Sequence, residues 1–163
     1  MQADNNMRSI RGFTLIEMMI AIGVLAVVAA IAMPEISDVL LKQNLNKSVR
    51  NLAIVFEKAR AKAAFERRAV TVTLNSSSED TESTLNWVAS GKAILVSTTT
   101  TIVFRSDGMV QDPTTTTAPL SSDLTLVLCD NAQADAKYSK KIIISRMGTV
   151  QQGDLVSGSC NAS

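Results

Sequence analysis

The chain changes its pattern of apolar and polar residues twice along its length. Residues 13–33 are almost continuously apolar, and Glu17 is the single charged residue among them. A helix of that length rises about 31 Å, which is close to the thickness of a bilayer core. The pattern therefore predicts a transmembrane helix at residues 13–33 with one carboxylate near its start.

The second pattern covers residues 34–68. Apolar residues recur there at steps of mostly three or four, and the basic residues fall mainly between them, which predicts an amphipathic stalk helix of about 50 Å. Pro34 stands at the junction, where an interior proline would kink the helix near Met33, although a plain helix start at Pro34 is the alternative. The apolar stripe consists of Ile36, Leu40, Leu45, Val49, Leu52, Phe56, Ala59 and Ala63.

From Ala69 onward the third pattern is that of short strands separated by turn residues. Asp107-Gly108 is a turn signal, and residues 75–84 and 113–119 have loop composition. We expect 86–89 and 93–97 to form a pair around Ser90-Gly91-Lys92. The predicted strands are 70–74, 86–89, 93–97, 98–104, 124–128, 142–145 and 149–152.

Residues 12–17 read Gly-Phe-Thr-Leu-Ile-Glu. An ionised side chain inside a bilayer costs about 2.5–3.5 kcal/mol on insertion scales, so Glu17 is expected to have a functional partner. The motif resembles the prepilin signature of type IV pilins and type II secretion pseudopilins. The resemblance implies that residues 1–12 are a leader, that a prepilin peptidase cuts between Gly12 and Phe13, and that Phe13 is then N-methylated. In that family the glutamate pairs with the N-terminal amine of a neighbouring subunit, so the resemblance implies that Glu17 acts in assembly. Pro34, at the junction of the two helical stretches, is the second expected assembly residue.

Two further stretches extend the resemblance. Residues 102–108 resemble a strand and turn of the H-type pseudopilins and the FimT/FimU-like minor pilins, and residues 142–150 resemble their closing hairpin. The resemblance implies an α+β, pilin-like fold. Its long N-terminal helix, half in the membrane and half amphipathic, would pack on a head of two antiparallel sheets at residues 69–163.

Two other interpretations of the N-terminus are open. Ala30-Ile31-Ala32 has the form of a signal-peptidase site, but Glu17 and the length of the apolar run argue against a signal peptide. A plain membrane anchor without a role in assembly is the other alternative.

Arg8 and Arg11 precede the apolar run, which places the N-terminus in the cytoplasm and the head in the periplasm. Because that compartment is oxidising, we expect a Cys129–Cys160 disulfide, with two buried free thiols as the alternative.

The composition excludes several chemistries. The chain has no histidine and two cysteines, so it lacks the commonest general base and the ligands of a structural zinc site. We expect no catalytic residue, metal or cofactor; Asp107 is interpreted as a turn residue. Trp87 is expected in the core of the head, with an exposed docking aromatic as the alternative.

Nucleic-acid binding needs a basic surface. The cluster Lys58, Arg60, Lys62, Arg67 and Arg68 is interrupted by glutamates and is interpreted as a solvated helix face. In the DNA-binding relatives arginines occupy the closing segment, whereas this chain has glutamines and an aspartate there. The remaining DNA-contact candidates are Lys137, Lys140, Lys141 and Arg146.

The resemblance therefore implies a structural minor pilin of a type IV pilus, in its tip or priming complex. Its partners would be the prepilin peptidase, other minor pilins, the major pilin and, before assembly, the inner membrane. The alternatives are a minor pseudopilin of a type II secretion system and a DNA-binding minor pilin for DNA uptake.

Overall fold

The computed structural model describes residues 12–112, 115, 118–158 and 160, with the backbone alone at 32–34 and 133. Its first element is the helix α1, Leu15–Glu66. The helix ends at Glu66 because Arg67 takes a left-handed conformation, with φ of 52°, which stops the repeat of helical hydrogen bonds. The helix thus covers most of the two stretches that were predicted to be helical.

The chain folds as two compact units, Met1–Asp38 and Val39–Ser163. We call the second one the head unit. It contains the whole described hydrophobic core and the disulfide, so its packing is complete within residues 39–163.

Two sheets form the head unit. The first has the strand order β2-β1-β4 and the second the order β3-β5-β6-β7. A short 3₁₀ helix, Gln133–Asp135, precedes β6. The strands are β1 Val70–Leu74, β2 Thr84–Trp87, β3 Ile94–Val96, β4 Thr101–Phe104, β5 Leu124–Cys129, β6 Tyr138–Ile144 and β7 Val150–Ser157.

The α+β class is confirmed, but two details of the predicted topology are wrong. The first sheet is mixed, because β1 and β2 run parallel, with Thr71 opposite Thr84 and Leu74 opposite Trp87. The strands on either side of Gly91 do not pair with each other: β2 joins the first sheet and β3 pairs with β5 of the second. The closing hairpin is present, since β6 and β7 pair antiparallel.

The core of the head unit lies between the second half of α1 and the two sheets. Phe56 of the helix is fully buried, and its ring centroid is 6.1 Å from that of Phe104 on β4. Trp87 is 4% exposed, so the core interpretation of this residue is confirmed. The predicted stripe is buried from Leu45 to Ala63, whereas Ile36 and Leu40 are exposed because the packed part of the helix begins after them.

Two glycine turns face the same side of α1. Gly108, in the turn after β4, has φ of 77°, and Gly148, between β6 and β7, has φ of 75°. A Cβ on Gly148 would collide with the carbonyl oxygen of Gly108, so the two turns pack backbone against backbone, next to the side chain of Arg60. This packing joins the two sheets at one end of the core.

Candidate functional site

The predicted cleavage site is exposed. Gly12 and Phe13 precede the helix without regular structure, and Phe13 is 80% exposed. No heavy atom lies within 4 Å of the place where a Cβ on Gly12 would be. Both residues are therefore exposed in the described part of the chain. Residues 1–11 of the predicted leader, including Arg8 and Arg11, lie outside the described residues.

Thr14 and Glu17 form a reciprocal pair of hydrogen bonds at the start of α1. The Glu17 N–H donates to the Thr14 hydroxyl at 3.2 Å, and the Thr14 N–H donates to a Glu17 carboxylate oxygen at 3.4 Å. This is a capping box, in which two backbone donors at a helix N-terminus are satisfied by two side chains. In the single chain Glu17 therefore has a local role, because its carboxylate satisfies the start of its own helix. Sequence reasoning missed this role, although Thr-x-x-Glu ahead of an apolar run is its signature.

The apolar stretch at residues 13–31 is exposed in the single chain. Every described side chain from Phe13 to Ile31 is exposed, including large ones such as Leu15, Ile20 and Leu25. By length and composition, no single helix among the described residues qualifies as a membrane span. The stretches Leu15–Ile31 and Glu35–Glu66, bent at the break between them, qualify when taken together.

Pro34 lies within α1, whose backbone continues as helix through it. The predicted kink near Met33 stays a prediction. The side chains of residues 32–34 are outside the described part of the chain, and the part that Pro34 plays in assembly stays a prediction.

The two cysteines are joined. Cys129, at the end of β5, and Cys160, near the C-terminus, form a disulfide with their Cα atoms 6.0 Å apart, and both residues are buried. The bridge fixes the tail to the second sheet, as predicted from the sequence. Sequence reasoning did not foresee its neighbour Asp130, which is also fully buried and accepts hydrogen bonds from the backbone N–H groups of Lys137 and Tyr138.

An acidic loop lies along the basic face of α1. We use this name for residues 75–83, between β1 and β2. Lys58 forms an ion pair with Asp80, Lys62 donates to the Thr81 carbonyl, and Arg68 contacts Glu82 through both its carboxylate and its carbonyl. Three of the five residues of the basic cluster, Lys58, Lys62 and Arg68, are thus engaged within their own chain, whereas the sequence indicated only a solvated face.

The charges at this loop shift two pKa values. A hydrogen bond from the Asn86 N–H, followed by the ion pair with Lys58, lowers the pKa of Asp80. A hydrogen bond to Glu66 raises the pKa of Arg68. Both shifts favour the charged forms that hold the acidic loop against the helix.

The DNA-contact candidates have different surroundings. Lys140 donates to the Asn46 side chain at 3.1 Å and is half-buried. Lys141 lies on β6 and is exposed, and Arg146 follows the end of that strand. On the neighbouring strand β7, Asp154 is exposed and adds a negative charge.

The turn after β4 contains Asp107. Asp107 accepts a hydrogen bond from the Met109 N–H and pairs with Arg105, so it is a turn residue, as interpreted from the sequence. It also borders an open cavity of about 290 Å³ over α1, together with Gly108, Arg60 and two alanines. Within the described part of the chain, no three acidic, histidine or cysteine side chains come together as metal ligands.

Comparison with known families and structures agrees with both halves of this description. Residues 7–33 match the prokaryotic N-terminal methylation motif. The fold is similar to that of the type IV minor pilin FimU of Pseudomonas aeruginosa, with a TM-score of 0.51 and 18% sequence identity over 74% of this chain and 97% of that one. A second crystal form of FimU gives a TM-score of 0.48 at 18% identity, over 72% of this chain and all of that one. No curated protein sequence matches the chain.

Proposed function

We propose that this chain, which carries the N-terminal methylation motif and has the pilin fold, is a minor pilin that assembles into a type IV pilus. A prepilin peptidase cuts it after Gly12, Phe13 is methylated, and residues 13–33 hold it in the inner membrane with the head unit in the periplasm. The observation that carries the proposal is the combination of a methylation motif over residues 7–33 with a head of the fold seen in FimU.

The exposed apolar helix supports an assembly role. Burial of one large apolar side chain contributes about 1.5–3 kcal/mol of favourable free energy. The stretch Leu15–Ile31 exposes more than ten such side chains. An exposed apolar surface of this size is expected to contact either lipid or other apolar helices. Transfer from the membrane to a bundle of pilin helices exchanges one apolar environment for another, so a single helix can serve both states.

Glu17 supports a defined axial position in that bundle. Cleavage after Gly12 creates an α-amine on Phe13, and both this amine and the Glu17 carboxylate are costly in hydrocarbon unless they are paired. Pairing of Glu17 with the Phe13 amine of a neighbouring subunit sets the stagger between the two helices. Because a subunit with this carboxylate gains from a neighbour above it, we place the protein just below the tip, between a priming complex and the main shaft.

A pilus is favoured over a type II secretion system because a solved structure with a similar fold is that of a type IV minor pilin. DNA reception is disfavoured because the basic face of α1 is already occupied by the acidic loop through Lys58, Lys62 and Arg68. The favoured role is therefore structural.

The test is intact mass spectrometry of the native protein from membranes and from sheared filaments. We expect the mass to lack residues 1–12, to include one added methyl group and to fit an oxidised cysteine pair. A mature N-terminus at Met33 would show instead that the run is a signal peptide. Gly12→Leu should block cleavage, and Gly23→Leu is the matched control, because a Cβ at either glycine would have nothing within 4 Å.

A further inference from the structure

Phe65, in the last turn of α1, is the most exposed large apolar side chain described in the head unit. It is 89% exposed, whereas the next one, Ile54, is 60% exposed. An aromatic side chain has about 150–250 Å² of surface to bury, and aromatic residues are common at the centres of protein interfaces. Phe65 is therefore suited to anchor a contact with another molecule. The other aromatic residues of the head unit are buried or half-buried: Phe56, Trp87, Phe104 and Tyr138.

The open cavity of about 290 Å³ lies beside the same end of the helix. Ala61 and Ala64 line it from the helix, and Gly108 lines it from the turn after β4. Because these three residues have at most a methyl group as side chain, they leave room for a group from outside. The cavity thus combines small apolar residues with a charged border, as the centre and the rim of a protein interface do. The charged residues that line it are Glu57, Arg60 and Asp107.

The walls of the cavity are already in place in the single chain. A Cβ on Gly148 would lie 3.0 Å from the Arg60 Cδ atom, and one on Gly108 would lie 3.7 Å from the Arg60 Cγ atom. The stem of Arg60 therefore packs against both glycine turns. Asp107 forms an ion pair with Arg105 at 3.2 Å. Because these side chains are held before any contact is made, few of them have to be ordered when the cavity is occupied, which lowers the cost of binding.

Charges of both signs surround the cavity. Glu57 and Asp107 are acidic, whereas Arg60 is basic, and Arg105 pairs with Asp107. Since acidic and basic groups both line the cavity, it does not select a small ion of one charge. Its alanines instead favour an apolar group, which gains free energy by leaving water. Two exposed arginines of adjoining segments add positive charge: Arg67 and Arg146.

The phenyl ring of Phe65 matches the cavity in size but does not occupy the cavity of its own chain. A cavity of about 150 Å³ is sufficient to bind benzene inside a protein, so a cavity of about 290 Å³ has room for the ring. At about 100° per residue, Phe65 lies roughly a quarter of a turn round the helix from the middle of the lining positions. Its 89% exposure shows that the ring does not fill the neighbouring cavity. The lining positions on the helix are Glu57, Arg60, Ala61 and Ala64.

We propose that Phe65 of one copy of this chain enters the cavity of a second copy. A second copy is the occupant because each chain carries both the ring and a cavity of matching size. Since the two are different parts of the surface, the contact is heterologous: each copy offers its ring to one neighbour and its cavity to another. The contact involves the head unit alone, so it does not depend on cleavage after Gly12 or on the membrane location of residues 13–33. One ring and its cavity bury less than the roughly 1,200 Å² of a stable interface, so we expect weak binding.

The test is a nuclear magnetic resonance dilution series of the head unit, because its core and disulfide are complete within residues 39–163. We expect the backbone amide signals of Ala64 and Gly108 to shift with concentration. Phe65→Ser should raise the dissociation constant about ten- to hundred-fold, because a large apolar side chain is no longer buried. The matched control is Ile54→Ser, at the next most exposed apolar side chain described in the head unit, and it should change the constant by less than about three-fold.

A mixing experiment separates the ring from the cavity. Ala64→Gln fills the cavity and keeps the ring, whereas Phe65→Ser removes the ring and keeps the cavity. Both positions are exposed, so we expect both variants to fold. The Gly108 signal of isotope-labelled Phe65→Ser should shift when unlabelled Ala64→Gln is added, and it should stay unchanged when unlabelled Phe65→Ser is added.

Three outcomes would overturn the proposal. One is a wild-type spectrum that does not change with concentration up to about 1 mM. Another is an equal loss of association in Phe65→Ser and Ile54→Ser, since association would then follow overall apolar surface. The third is a labelled Phe65→Ser head unit that responds to both unlabelled variants or to neither. None of these results bears on cleavage after Gly12, which tests the proposed function separately.

Discussion

The Nζ atom of Lys58, on α1, lies 3.4 Å from Oδ2 of Asp80, in the acidic loop between β1 and β2. The other carboxylate oxygen of Asp80 accepts the Asn86 N–H at 2.8 Å, so one side chain joins the helix, the loop and β2. This relationship explains how a long polar loop is held along a basic helix by polar contacts.

Asp80→Asn should reduce stability in a pH-dependent way. The pKa of Asp80 is lowered below its ordinary value of 3.8 in the folded state. Its contribution is therefore fully present above 3.8 and is lost as the pH falls through the lower, folded pKa. Because both partners are largely exposed, we expect at most about 1 kcal/mol near neutral pH.

The measurement for Asp80 is urea unfolding of wild type and variant from neutral to acidic pH. Asp123→Asn, at an exposed aspartate, is the matched control. A wild-type advantage over Asp80→Asn that stays constant below 3.8 would contradict the assignment.

Phe56→Ala should lower the free energy of unfolding of the head unit by about 3–5 kcal/mol, because it opens a cavity beside Phe104 in the core. Phe65→Ala, on the same helix but at a side chain that is 89% exposed, should change it by less than about 0.5 kcal/mol. Chemical denaturation of the two variants measures the difference. Similar losses for both would mean that the buried face of the helix is assigned wrongly.

Replacing Cys129 and Cys160 by alanine should cost about 3–4 kcal/mol of stability, because the bridge closes a loop with a sequence separation of 31. Reduction of the wild-type head unit should lower its stability by a similar amount and leave the double variant unchanged. Labelling of the unreduced, denatured protein gives an independent check, since two reactive thiols would rule the disulfide out.

Local patterns were sufficient for most elements of the fold. The strand β1 was predicted at its observed bounds because Val70, Val72 and Leu74 alternate with threonines and point into the core. The exposure of Ile36 and Leu40 could not be predicted, because the helical stripe continues through them and the point where packing begins depends on the sheets.

Strand partners depend on contacts that are distant in sequence. The acidic loop returns the chain along α1, so β2 starts beside Thr71 and runs parallel to β1. The loop composition of residues 75–83 does not reveal that path. Asp80 pairs with Lys58, about two turns before the end of the helix, and Glu82 pairs with Arg68, just after it. The capping box at Thr14 and Glu17 is different, since its local signature was available in the sequence and was missed.

Glu17→Ala should leave the head unit folded and the chain cleaved, and should reduce incorporation into filaments. Loss of the capping box costs about 1 kcal/mol, whereas an unpaired charge left at a buried interface costs about 3–5 kcal/mol, so the subunit interaction should dominate. Thr14→Ala separates the two roles, because it removes the hydroxyl that accepts the Glu17 N–H and keeps the carboxylate. We therefore expect near-normal incorporation for Thr14→Ala, a partial loss for the shorter Glu17→Asp and a severe loss for Glu17→Ala. The measurement is the amount of subunit in sheared filaments relative to membranes. If Thr14→Ala and Glu17→Ala lost incorporation equally, the glutamate would act through the helix cap and would not set the stagger between subunits.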